Sequence, residues 1–247
     1  MNKFVNIVYD FDGTLTKSKS PEYDILYKNN LSMDDVYDTR KEMMEKDKSL
    51  GSVFAFLKSL LQVLDKHNIA SSYKNICSGT ENIRYAHGIF NYFERLKEDT
   101  DLKNIKINNY ILTCGVKEYI EKSAIAKYFS RIFGSSYSYD KAGMVCGIEQ
   151  IVEKKDKVDK VIKINESLGI LKDNCKNMIY IGDGFTDRFV MEYVKEHGGT
   201  SICVYEDDVE VAKMLYEQGY VNKIEYRDYN KGSKLYNYIK ECILKEV

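Results

Sequence analysis

From about residue 105 onward, short apolar runs alternate with helix-period segments, and this alternation constrains the chain more than any other feature. Residues 109–114, 132–135, 178–181 and 201–205 read as strands, with 221–226 as a further strand. Between and after them, 116–129, 157–168, 186–196, a stretch ending at Glu217 and one from about Ser233 read as helices. Residues 144–152 read as extended chain that pairs locally. Near the start, Phe4-Val5-Asn6-Ile7-Val8-Tyr9 is β-branched and aromatic with an Asp-Gly close behind, as a buried strand requires. Strands alternating with helices imply βαβ units, hence an α/β, doubly wound and mostly parallel sheet covered on both faces.

Between the first strand and the next the pattern is all helical. Ser32-Met33-Asp34-Asp35 marks a capped start, and Met33, Val36, Tyr37, Met43 and Met44 follow near a helical period. Val53, Phe54, Phe56, Leu57, Leu60, Leu61 and Leu64 form a wide apolar stripe, and Ile89, Phe90, Phe93 and Leu96 form a third. A helical block in that place is expected to be an insertion: core 1–16 and 101–247, helical cap 17–100. Pro21, the sole proline, marks the exit from the first element. Arg40, Lys41, Arg84 and His87 are assigned to solvated surface.

Composition narrows the function. A net charge of −1 gives no general basic field for nucleic acid. Cys77, Cys114, Cys146, Cys175, Cys203 and Cys242 are widely spaced, which argues against a zinc site or a disulfide scaffold and for reduced thiols. No apolar run approaches the ~20 residues of a membrane span, and no leader is visible, so a cytoplasmic enzyme without membrane or nucleic-acid partners is expected. Oligomeric state is not legible.

Two acidic loops follow strands. In Asp10-Phe11-Asp12-Gly13-Thr14-Leu15-Thr16 the first carboxylate stands at a strand's carboxyl end, where open α/β sheets bind ligands. In an extended segment Asp10 and Asp12 would point to the same side. Two such charges ~4–5 Å apart repel by about 3–4 kcal/mol at an effective dielectric near 20. A hard divalent cation such as Mg²⁺ removes that cost. One carboxylate can act as nucleophile and the other as acid/base. Gly182-Asp183-Gly184-Phe185-Thr186-Asp187 repeats the logic. Helix capping accounts for Asp187 but not for Asp183 between two glycines.

Thr113-Cys114-Gly115 closes another strand, and its hydroxyl and amides at a helix start suit phosphate oxygens. No histidine lies near Cys114 in sequence, so a Cys–His pair is disfavoured. Lys157 is chosen as the phosphate-side cation, with Lys154, Lys155 and Lys160 as rivals.

Together these motifs resemble the haloacid dehalogenase superfamily, in particular its phosphoserine-phosphatase-like branch. Residues 10–16 resemble D-x-D-G-T-[LV]-T, Thr113 the second motif, Lys157 the third and residues 182–187 G-D-G-x-T-D. Arg188 departs from the pattern, where a neutral residue is expected. The resemblance implies Asp10 as nucleophile and metal ligand, and Asp12 as acid/base with its carbonyl on Mg²⁺. It implies Asp183 as metal ligand, Asp187 as support for the metal or for Lys157, and Thr113 and Lys157 on the phosphoryl oxygens. It further implies a mobile cap over a Rossmann-like core, and a small phosphorylated metabolite as substrate. An acid two residues past the nucleophile favours phosphatases, with a phosphotransferase or phosphomutase as runner-up and a non-catalytic binding protein behind it.

Overall fold

The computed structural model describes residues 3–17, 25–101 and 104–245. Seven strands form one sheet: β1 (Lys3–Tyr9), β2 (Ile105–Val116), β3 (Arg131–Tyr139), β4 (Val145–Gln150), β5 (Met178–Gly182), β6 (Thr200–Tyr205) and β7 (Lys223–Tyr226), in the order β4-β3-β2-β1-β5-β6-β7. All neighbours are parallel except β3 and β4, the local pair expected at 144–152. The chain order reverses on either side of β1, which places a crevice at its carboxyl end.

Alternation along β1 sends Val5, Ile7 and Tyr9 to one face and Val8 to the other. On the first face lie α5 (Ile89–Asp101) and α10 (Lys234–Lys245), with Tyr92 and Phe93 set edge-on to Tyr9. On the second lie α7 (Asp156–Ser167), α8 (Arg188–Glu196) and α9 (Glu210–Glu217). A third apolar cluster is built by α1 (Ile25–Lys28), α2 (Met33–Lys46), α3 (Ser52–Lys66) and α4 (Tyr73–Ile76), and it also takes in Tyr137 of β3. The last helix of the block expected at 17–100 thus packs on the sheet through Ile89, Tyr92, Phe93 and Leu96. Pro21 lies outside the described residues.

One expected helix is largely absent. Residues 116–129 form only α6 (Lys117–Glu121) and a 3-10 turn at Ala126–Tyr128. Ile125 turns into the sheet-side core, and the Ala124 amide donates to the Tyr85 hydroxyl at 3.0 Å, a tertiary bond in place of an intrahelical one.

The helical layer is tied to the sheet at defined points. Gly51, at the start of α3, has no side chain to cap it, and the Glu153 carboxylate accepts from the Val53 amide at 2.7 Å instead. A Cβ on Gly51 would stand 2.6 Å from that carboxylate oxygen. The Tyr137 hydroxyl donates to the Leu57 carbonyl at 3.0 Å, and backbone bonds join Tyr73 to Gly143 and Val145 to Ser71. Among the described residues, no helix is long and apolar enough to cross a membrane.

Candidate active site

Strand register builds the site. Tyr9 pairs with Ile111 on one side and Ile181 on the other, so Asp10 stands level with Leu112 and Gly182 at the carboxyl edge. The Asp10 amide donates to the Ile181 carbonyl at 2.8 Å. Thr113 and Asp183 come one residue later on the flanking strands. Beyond Asp10 the chain turns rather than extends: the amides of Thr14, Leu15 and Thr16 all donate to the Phe11 carbonyl. Asp12 therefore reaches the site through a turn, not through the two-residue alternation expected from sequence. Gly13 has φ +75° and a Cβ there would overlap the Asp183 carboxylate, so glycine is required twice over.

At the centre lies Lys157, 1 % exposed, which donates to Asp10 Oδ1 at 2.7 Å and to Asp187 Oδ1 at 2.5 Å. Burial opposes its charge, but the two carboxylates outweigh burial and hold the ammonium protonated. Lys154 and Lys155 are exposed and Lys160 half-buried, so position 157 is separated from its rivals. Asp187 occupies the position before α8 but makes no side-chain cap there; its Oδ1 accepts from Lys157 and, at 2.7 Å, from the Tyr180 hydroxyl. A Cβ on Gly182 would overlap its other oxygen, Oδ2, which is buried without a partner.

Carboxylate oxygens of Asp10, Asp183 and Asp187 come within 4.8 Å of one another. Burial, the Asp187 charge and the nearby Asp183 raise the Asp10 carboxyl well above its usual range, against the pull of Lys157. Burial and Asp187 raise Asp183 to about 7. One lysine against this many buried acids leaves negative charge uncompensated. A hard divalent cation fits the set: the donors are carboxylate oxygens, they converge, and one is orphaned.

On the other side, the Gly115 amide donates to Thr113 Oγ1 at 3.0 Å. A Cβ on Gly115 would stand 3.2 Å from Asp12 Oδ2 and 3.4 Å from Thr113 Oγ1, so these three groups face one small volume. Cys114 adjoins it, but burial pushes its thiol up to about 12, which keeps it protonated. Arg188 does not add charge to the carboxylates; its guanidinium lies over the Phe189 and Tyr220 rings at 4.5 and 5.2 Å.

Four residues escaped the sequence. Tyr180 reads as an apolar strand residue, and only alternation toward the Val8 face hints at its partner. Arg227, 4 % exposed, donates to the carbonyls of Gly13 and Lys17 and pairs with Glu206, so it pins the loop after Asp12 from the far end of the chain. Glu153 lies in a charge-rich stretch. Arg40, assigned to solvated surface, is half-buried and lines the cavity above the carboxylates.

No family model matches the chain. An uncharacterized protein of Borreliella burgdorferi is 27 % identical over 191 residues, 65 % of this chain and 67 % of the relative. Among solved structures, a substrate-bound phosphoserine phosphatase superposes with a TM-score of 0.63 at 18 % identity, over 98 % of this chain and 99 % of the other. The chain has the haloacid dehalogenase fold. A haloacid dehalogenase family hydrolase of Salmonella enterica serovar Typhi matches with a TM-score of 0.62 at 16 % identity, over 89 % of this chain; the chain spans 66 % of that protein, just under two thirds. Within the haloacid dehalogenase fold, the strand ends that carry Asp10, Thr113 and Asp183 form the floor of a cavity of about 540 Å³, which the helical layer roofs.

Proposed function

We propose that this chain is a Mg²⁺-dependent phosphatase that hydrolyses a small phosphomonoester through an aspartyl-phosphate on Asp10. One observation carries the proposal: a buried ammonium shared by Asp10 and Asp187, beside Asp183, at the convergence of three strand ends. That arrangement suits phosphoryl transfer, which needs positioning and charge stabilisation more than covalent machinery. Asp10, Asp183 and the Asp12 carbonyl are the ligands we assign to Mg²⁺. When bound, the ion offsets the repulsion between the acids and a dianionic phosphate.

A free oxygen of Asp10 forms a bond to phosphorus while the ester P–O bond breaks. The departing alkoxide takes its proton from the Asp12 carboxyl. Asp12, now a carboxylate, removes a proton from water, and the resulting hydroxide attacks the same phosphorus. The Asp10 O–P bond breaks, releasing inorganic phosphate and restoring the carboxylate. The Thr113 hydroxyl, oriented by the Gly115 amide that donates to it, the Cys114 amide and the Lys157 ammonium hold the phosphoryl oxygens. Lys157 also keeps Asp10 oriented, and Asp187, itself braced by Tyr180, keeps Lys157 in place.

Phosphate release from a panel of phosphorylated metabolites, with and without Mg²⁺, tests the proposal. Wild-type protein is expected to turn over at least one ester only with the metal, and Asp10→Asn to lose that turnover while retaining its fold. Wild-type-like release by Asp10→Asn would refute the nucleophile.

A further inference from the structure

The cavity has two unlike ends. Its floor is charged: Asp10, Asp12, Lys157 and Asp183. Its roof, among the described residues, is mostly apolar: Ile25, Val53, Phe56, Leu60 and Ile76, with Tyr37, Arg40 and Ser52 as the side chains from the helical layer that carry polar atoms. The last two are joined, Arg40 Nη2 donating to Ser52 Oγ at 2.5 Å. Arg40 Nε, by contrast, is buried with no partner. Nε itself is closed off, but the guanidinium lines the cavity and brings a positive charge and further N–H donors to an acceptor placed there.

We infer that the ester taken by this site carries a bulky apolar body, with a carbonyl or carboxylate acceptor placed to meet Arg40. The inference rests on the phosphatase proposal for the location of the phosphoryl group and deepens it by naming the rest of the substrate. Volume supports it: about 540 Å³ is mid-range for small-molecule sites, and ample for a ring-sized body. Charge supports it as well. Among the described residues, the helical layer places no acid in the cavity to meet a free ammonium on a leaving group. Asp208, on the core side, is exposed and accepts from the Glu210 amide. An apolar body gains from leaving water for this roof; a small zwitterionic one does not.

Binding separates this inference from the reaction. Four phosphonates, which carry an unhydrolysable P–C bond, serve as probes: methylphosphonate, benzylphosphonate, 4-carboxybenzylphosphonate and 2-amino-3-phosphonopropionate. Their Kd values are measured by calorimetry with Mg²⁺ on the whole chain, and hydrolysis of acetyl phosphate is followed separately. Benzylphosphonate is expected to bind about tenfold or more tighter than methylphosphonate, and tighter than the amino acid probe. The carboxyl group is expected to add a further gain that Arg40→Met removes while leaving the affinity for benzylphosphonate itself within about twofold. Equal binding of methyl- and benzylphosphonate, or preference for the amino acid probe, overturns the inference even if acetyl phosphate is hydrolysed. Retention of the carboxyl gain in a folded Arg40→Met protein overturns the assignment of Arg40. Tight benzylphosphonate binding without hydrolysis of any ester would leave this inference standing while the phosphatase proposal falls.

Discussion

The Lys157 ammonium sits where its loss exposes the largest imbalance. Replacing it with methionine leaves Asp10 and Asp187 buried without their shared cation. Breaking a buried pair in this way costs roughly 3–5 kcal/mol, so Lys157→Met is expected to unfold at distinctly lower denaturant in urea titrations without metal. Asp10→Asn should do the reverse in metal-free protein, because it removes one of several crowded negative charges. Its Tm is expected to equal or exceed wild type while turnover falls by at least 10³-fold. Asp183 adds a pH dependence. Its carboxyl is raised to about 7 from an unfolded value near 4, so the fold holds a proton there that the unfolded chain releases. Between about pH 4 and 7 this group therefore stabilises metal-free protein more as pH falls, and that contribution is lost as pH rises through 7. Metal must displace the same proton, so Mg²⁺ affinity should weaken by up to tenfold per pH unit below 7, measurable by calorimetric titration at pH 6 and 8. Asp10, Asp183 and Thr113 were legible in sequence because each follows an apolar run directly. Tyr180, Arg227 and Arg40 were not, since each meets its role only across a tertiary contact.

At the level of elements, helices are tied to the sheet and to each other by few, specific polar contacts. Asp99 on α5 accepts from Lys231 at 2.7 Å, from Tyr236 at 2.9 Å and from Lys240 at 3.0 Å, which joins α5 to α10. The hydrogen bond from Lys231, with those from Lys240 and Tyr236, lowers its carboxyl to about 2. A depressed carboxyl contributes stability above its unfolded pKa of about 3.9 and loses it as pH falls toward 2. Asp99→Asn should therefore lower Tm by about 2 °C at pH 7 and make no difference near pH 2, as read by circular dichroism. Glu153 serves α3 as a cap supplied from another element. Glu153→Ala is expected to cost about 1 kcal/mol and to speed amide exchange in α3 before any other helix. Strands were the best-read elements, because short apolar runs bounded by glycine or acid leave few alternatives. The helix expected at 116–129 failed because periodicity cannot foresee that the Tyr85 hydroxyl takes the Ala124 amide.

Taken whole, the molecule is a mostly parallel sheet with a crevice at the reversal of strand order, roofed by helices inserted between its first two strands. Alternation and the place of the helical block made that architecture legible, but not that α5 belongs to the sheet. Its stripe of apolar residues looks the same whether it faces other helices or strands; only the partners Tyr9, Phe129 and Tyr229 decide. Lys157 meets partners 147 and 30 residues away along the chain. A nascent polypeptide that has emerged only to residue 170 already contains the lysine and Asp10 but lacks β5, Tyr180 and Asp187. It would have to bury an ammonium with half its acceptors missing. The candidate site thus links closure of the core to completion of the chain, because its lysine gains its second carboxylate only once β5 and Asp187 have been made.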